Sequence, residues 1–215
     1  MLEEDNKITE EEYNDALEER HGKELQKKLK CARVAICGLG GLGSTIATAL
    51  ARAGIGHLHL IDFDFVDLTN IHRQQYNLSQ IGMLKTTALK ENLLKINPFL
   101  TVETDAQLLD ENNVEKVLKN DEIICEAFDH ADAKAMLVNI ILEKYPNKYM
   151  IAASGMAGIA DANDIKTKEI TDHFYICGDF VSDVNDDIGL VSSRVMVCAA
   201  HQAHKVLQII AKKEG

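Results

Sequence analysis

The sequence has 215 residues, a little over one domain at roughly 150 residues each. Lys and Arg total 23 against 34 Asp and Glu, and the net charge of −11 argues against nucleic acid as a general partner, because phosphate recognition needs a basic face. Hydrophobic residues at 46% and charged residues at 27% are ordinary for a globular domain that buries a full core without staples.

The charge is concentrated at the start, where residues 1–20 carry nine acids against Lys7 and Arg20. An acidic beginning is unlike a secretory leader, which needs a positive start followed by an apolar stretch. The longest weakly polar run, 150–160, is far short of the roughly 20 residues of a membrane span. No membrane association and a cytoplasmic location are therefore expected. The five cysteines, Cys31, Cys37, Cys125, Cys177 and Cys198, include no C-x-x-C pair, so no zinc ribbon is predicted.

In chain order, Tyr13, Leu17, Leu25 and Leu29 recur at near-helical spacing and predict an N-terminal helical arm over 1–30, of one or two helices, ahead of a main domain over 31–215. The apolar run 33–37 stops at glycines and predicts a strand, 41–53 a helix and 57–61 a second strand. A helix is expected over 82–97, ending at Asn97-Pro98. Strand 100–103, helix 112–118, strand 122–127, helix 131–144 and strand 148–153 follow. Beyond Ser154 the pattern changes to glycine turns and short strands over 159–162 and 173–177. An acidic loop holding Asp179, Asp183, Asp186 and Asp187 comes next, and 192–212 reads as a closing helix. This alternation predicts the α/β class: a Rossmann-like, mostly parallel sheet with helices on both faces, a helical arm before it and short strands plus a helix after it.

Gly38-Leu39-Gly40-Gly41-Leu42-Gly43 lies between the first strand and its helix. Gly38 permits the tight turn, Gly40 lets backbone N–H groups approach a phosphate, and Gly43 permits close helix–strand packing, while the helix N-terminus favours an anion. Asp62, ending the second strand, is placed to accept ribose hydroxyls or to cap the segment after it. NAD and ATP both satisfy this pattern. The polar stretch from Asp62 to Gln75 with Lys85 beyond it leans toward a triphosphate. Two cations, Arg73 and Lys85, suit charge building on phosphate oxygens and have no evident use in hydride transfer.

The string GLGGLG, then AxAGIGxLxLIDFDxVDLTNIHRQ, IGxxK and INP, resembles the ubiquitin-activating-enzyme-like adenylyltransferases, the ThiF, MoeB and HesA family. The ERHGKE and RQQY segments and the length are most similar to short ThiF-type proteins. The resemblance implies adenylation by ATP of the Gly-Gly carboxylate of a small sulfur carrier, a ThiS-like ubiquitin-fold protein in thiamine biosynthesis, with Mg2+ and a homodimer. It places phosphates on Gly38, Gly40, Gly41 and Gly43, ribose on Asp62 with Asp64 beside it, and phosphate contacts on Asn70, Arg73, Gln74 and Lys85. Asp129 would handle Mg2+ or the reacting phosphates, with an N-cap of the next helix as its rival role. Arg73, Lys85 and Asp129 are the catalytic candidates.

Departures from the pattern carry expectations too. The zinc-binding cysteine pairs of many relatives are missing, so no zinc is expected. Cys177 is the one counterpart to the thiol some relatives use, with core packing as the alternative. Arg20 matches the place of an arginine that enters a neighbouring subunit's site, with a surface helix position as the alternative. His57, His59, His201 and His204 show no metal-ligand grouping in the sequence. Rival readings are a nucleotide-binding module that holds a carrier without activating it, adenylation of another carrier or of a tRNA-borne carboxylate, and an NAD-dependent oxidoreductase.

Overall fold

The chain enters its first helix through a reciprocal cap: Thr9 Oγ1 accepts the Glu12 N–H at 3.2 Å, and the Glu12 carboxylate accepts the Thr9 N–H at 2.8 Å. A computed structural model describes residues 8–185 and 188–213. Asp186 and Asp187 of the expected acidic loop, and Glu3, Glu4 and Asp5, lie outside the described residues. Helix α1 (Glu10–His21) ends at Gly22, and α2 (Lys23–Cys31) follows at once. Both pack below the sheet, Tyr13 against Phe99 and Leu29 inside the main core.

Seven strands form one sheet: β1 (Arg33–Cys37), β2 (His57–Ile61), β3 (Thr101–Asp105), β4 (Ile123–Glu126), β5 (Tyr149–Ala153), β6 (Lys166–Thr171) and β7 (Phe174–Gly178), in the order β3-β2-β1-β4-β5-β7-β6. Only β6 runs antiparallel to its neighbour. The helices are α3 (Gly41–Arg52), α4 (Lys85–Ile96), α5 (Val114–Val117), α6 (Ala131–Lys144) and α7 (Ser192–Lys212). Alternate strand residues face opposite ways. Val34, Ile36, Leu58 and Leu60 pack with α3, α4 and α7, while Ala35, Cys37, Ile124 and Met150 pack with α5 and α6. Burial on both faces explains why these strands read as continuous apolar runs. The Rossmann-like fold class is as expected. Among the described residues no helix is long and apolar enough to cross a membrane.

The expected strand over 159–162 is instead a bend, with Ile159 largely exposed, leading into a short 3-10 turn (Ala162–Asp164) capped by Asp161. The strand there is β6, whose KTKEIT sequence is exposed on both faces at the sheet edge and so has no alternation to detect. Helix α4 starts three residues later than expected. Gly82 has φ of 85°, and Leu84 is extended and bridges to Phe65, which holds the chain out of helix until Lys85. Strand β1 has β2 on one side and β4 on the other, so the order reverses there. The crevice beyond their C-terminal ends is where open α/β sheets bind ligands.

Candidate nucleotide site

Gly38 leaves β1 with φ of 90°, its N–H on the Ile61 carbonyl at 2.9 Å, and a Cβ there would lie 2.7 Å from the Ala127 carbonyl oxygen. At Gly43 a Cβ would fall 1.8 Å from the Gly38 carbonyl oxygen, so the first turn of α3 sits directly on the strand end. The loop between them is strapped from three sides. Asp62 Oδ2 accepts the Leu39 N–H at 2.6 Å, Tyr76 donates its hydroxyl to the Leu39 carbonyl at 2.8 Å, and Ser44 Oγ donates to the Gly40 carbonyl at 2.6 Å. No side chain caps α3, so its leading N–H groups and positive dipole end face the crevice.

Asp62 is only 9% exposed, and its other oxygen accepts the Asp64 N–H at 2.8 Å. Burial raises its pKa, against the opposing effect of Lys85. Each oxygen keeps a lone pair for a further donor, which suits a ribose acceptor. The same carboxylate also caps the segment after it, so the two readings of Asp62 are compatible. Lys85 is no solvated surface cation. It is 6% exposed at the first position of α4, where the helix dipole disfavours positive charge, and its Nζ lies 2.8 Å from Asp64 Oδ2. Asp64 is itself about half exposed and holds the ammonium at the mouth of the crevice.

Arg73 and Gln74 lie against the glycine loop. The backbone and stem of Arg73 pack on Gly41, and the Gln74 amide lies over Gly40. Arg73 Nη1 donates to the Thr69 carbonyl at 3.1 Å, while Arg73 Nε and Gln74 Oε1 are buried without a partner. Two orphan polar atoms beside one loop cost about 1–3 kcal/mol each until something pairs them. Asn70 closes the short turn 68–70, accepting the Asp67 N–H at 3.3 Å. Asp129 follows β4 with its side chain 86% exposed, 3.8 Å from the His130 ring and capping nothing, since α6 has no side-chain cap. A free carboxylate of this kind fits a hydrated Mg2+ brought in with phosphates.

Tyr76, Ser44 and Glu126 were not among the sequence candidates. The RQQY segment contained Tyr76, but nothing local shows that it reaches Leu39. Glu126 is fully buried at the end of β4, where it accepts the Phe128 N–H at 2.7 Å and Lys134 Nζ at 3.0 Å, and Gln202 of α7 donates to its carbonyl at 3.0 Å. Burial raises its pKa although Lys134 opposes the shift. This group anchors the loop that carries Asp129.

Cys177 is completely buried, and burial pushes its thiol up to about 11, with Thr167 Oγ1 at 3.4 Å. Its surroundings are those of a packing residue, not of a thiolate. Arg20 is exposed on α1, which packs by Leu17 and Tyr13 on Gly54 and Phe99 at the N-terminal ends of β2 and β3. Within one chain the structure does not bring it to the glycine loop. His59 is a core residue, as the sequence suggested, but it lies beside Glu103 and Asp105 with one donor atom of each within 4.8 Å of the others. The parallel register of β2 and β3 brings together residues more than 40 positions apart, and no local spacing reveals this.

The fold and this crevice define a Rossmann-type nucleotide-binding protein. The chain belongs to the ThiF family, whose model matches residues 13–215. It is 36% identical over 113 residues to the molybdopterin-synthase adenylyltransferase of Haemophilus influenzae, covering 52% of this chain and 46% of that protein. It is 34% identical over 146 residues to the tRNA threonylcarbamoyladenosine dehydratase of the same organism, covering 67% of this chain and 55% of that one. The crystal structure of the E. coli tRNA N6-threonylcarbamoyladenosine dehydratase in complex with ATP superimposes with a TM-score of 0.84 at 20% identity, over 95% of this chain and 97% of that chain, a likeness of fold. The chain spans between 26% and 55% of the length of the curated relatives it matches. None of these comparisons ties the chain to thiamine biosynthesis in particular.

Proposed function

We propose that this protein adenylates a carboxylate with ATP, and that its substrate is the C-terminal Gly-Gly carboxylate of a ThiS-like ubiquitin-fold sulfur carrier. The observation that carries the reading is the meeting of an uncapped helix N-terminus with the unpartnered Arg73 Nε and Gln74 Oε1 at one glycine loop, with Lys85 held by Asp64 close to Asp62, whose carboxylate binds that loop. A carboxylate oxygen attacks the α-phosphorus and the bond to the bridging oxygen breaks, giving an acyl-adenylate and pyrophosphate. The nucleophile is already anionic, so no base is needed, and positioning and charge stabilisation supply the catalysis.

In this reading Asp62 holds the ribose, with Asp64 setting the position of Lys85. Gly38, Gly40, Gly41 and Gly43 present the phosphate cradle, and Asn70, Arg73, Gln74 and Lys85 bind the phosphate oxygens. Asp129 would hold Mg2+, which neutralises phosphate charge when bound. The names of the adenylyltransferase relatives support adenylation as the reaction, while the sulfur carrier as substrate, a homodimer as the working form and thiamine biosynthesis as the context rest on the motif resemblance. Five unpaired cysteines suit the cytoplasm.

A second reading, adenylation of a tRNA-borne carboxylate, is favoured by the 34% identity to the tRNA threonylcarbamoyladenosine dehydratase of Haemophilus influenzae over 67% of this chain. The charge of −11 weighs against it. ATP–pyrophosphate exchange decides between them, run with the carrier and separately with threonylcarbamoyl-modified tRNA. Carrier-dependent exchange supports the first reading and tRNA-dependent exchange the second. ATP binding without exchange on either substrate points to a binding module, and protection of the fold by NAD instead of ATP points to an oxidoreductase.

A further inference from the structure

The face of the sheet that carries α5 and α6 has a charged cluster over β2 and β3 that plays no part in the nucleotide site. The register sets His59 beside Glu103 and Ile61 beside Asp105, so the three polar side chains leave the same face. One donor atom from each lies within 4.8 Å of the others. His59 is completely buried. Its Nδ1 lies 2.8 Å from Asp121 Oδ2 and its Nε2 lies 2.9 Å from Asp105 Oδ2. A neutral imidazole has one N–H and cannot donate at both ends, so a second cation, either a proton or a metal ion, belongs on this ring.

The neighbours sharpen the choice. Arg33 holds Asp121 Oδ1 at 2.6 Å and Glu103 Oε2 at 2.7 Å, Lys148 Nζ donates to the Asp121 carbonyl at 2.9 Å, and Gln107 Nε2 donates to Asp105 Oδ1 at 3.1 Å. His57 Nε2 lies 2.7 Å from Arg33 Nη1 and 3.4 Å from Glu103 Oε2. An ion on Nε2 leaves the Nδ1–H free to donate to Asp121, so the ring is satisfied at both ends while Asp105 and Glu103 share the ion's charge. Asp121, wholly buried behind the ring, stands where a carboxylate orients a metal-bound histidine. Asp105 and Glu103 are partly exposed and give an ion its way in from solvent.

We propose that His59 Nε2, Asp105 and Glu103 form a site for a divalent transition ion of the zinc and cobalt class, with Asp121 fixing the imidazole. One nitrogen and two carboxylates suit such ions and leave coordination positions for water. The ion would clamp β2, β3 and the start of β4. The Asp105 carbonyl accepts the Asp62 N–H at 3.2 Å, so the clamp also steadies the residue that begins the nucleotide crevice. The site is unrelated to the cysteine-paired zinc of other family members, and it stands whether or not the adenylation reading does.

The test is a Co2+ titration of the full chain after chelation, read by visible absorption and by 15N-imidazole spectra. One ion per chain is expected, with loss of the His59 Nε2 proton and binding weakened at least tenfold by His59→Gln and by Asp105→Asn. Asp121→Asn should weaken it about 10–100-fold. Should the His59 variant fail to fold, Asp105→Asn and Glu103→Gln at the partly exposed positions decide. Binding that these variants leave unchanged, cobalt–thiolate absorption from a cysteine, or an Nε2 proton that persists in excess Co2+ would each overturn the proposal, leaving the cluster with a proton only.

Discussion

Lys85→Met separates a catalytic cation from a structural one. Methionine fills the volume of the buried stem and removes only the ammonium, whose single described ion-pair partner is Asp64 at 2.8 Å. The Asp64 side chain is 47% exposed, so water replaces the lost contact and the stability change is ~0–1 kcal/mol. For a chain of this size that is a Tm shift of at most about 4 °C. Loss of a cation that stabilises developing phosphate charge costs ~3–4 kcal/mol of barrier, or about 100- to 1000-fold in rate. The assay pairs ATP–pyrophosphate exchange with a thermal melt on the same preparation. Exchange should fall at least 100-fold while the melt barely moves. A fall in exchange of less than tenfold, or a melt lowered by more than 10 °C, would show Lys85 to be a structural partner of Asp64 and refute the reasoning.

The glycine loop makes a second contrast. A Cβ at Gly40 meets nothing closer than 3.8 Å, whereas one at Gly43 would fall 1.8 Å from the Gly38 carbonyl oxygen. Gly40→Ala should therefore keep its melting temperature and raise the KM for ATP, and Gly43→Ala should lose both stability and binding, as melts and nucleotide titration would record. Lys134→Met strands the buried Glu126 carboxylate and should cost ~3–5 kcal/mol in urea unfolding, with Lys134→Arg recovering most of it. The Asp179 side chain is largely covered, which raises its pKa, but the Ser182 and Val181 N–H groups and Arg194 outweigh this and hold it well below the usual carboxylate range. Its contribution to stability is present above about pH 4 and lost as the pH falls through the lowered value. Asp179→Asn should thus flatten the acid limb of urea midpoints measured between about pH 2 and 7. Of the five free cysteines only Cys31 is exposed, so a thiol reagent should titrate one group quickly in the native protein and five after unfolding. A fast-reacting Cys177 would revive its role in sulfur transfer.

What the sequence determined by itself is local in origin. The alternation of apolar runs and helical spacing, the glycine loop between the first strand and its helix, and Asp62 at the next strand end all depend on neighbours a few residues apart. Arg73 was legible for the same reason, as a cation in a polar stretch leaving a buried strand, and Lys85 as a second cation on the first turn of the helix that follows. Tertiary structure decided what each side chain meets. Tyr76 reaches Leu39 across 37 residues, Gln202 reaches Glu126 across 76, and His59 meets Asp121 across 62. Strand β6 was missed because exposure on both faces removes the period by which a half-buried strand announces itself. Local sequence sets backbone preference and polarity. Whether a charge ends up solvated, paired or stranded depends on which elements lie beside it: the packing of α6 on the end of β4 settled that for Lys134 and Glu126, and the register of β2 and β3 brought His59 to Glu103 and Asp105.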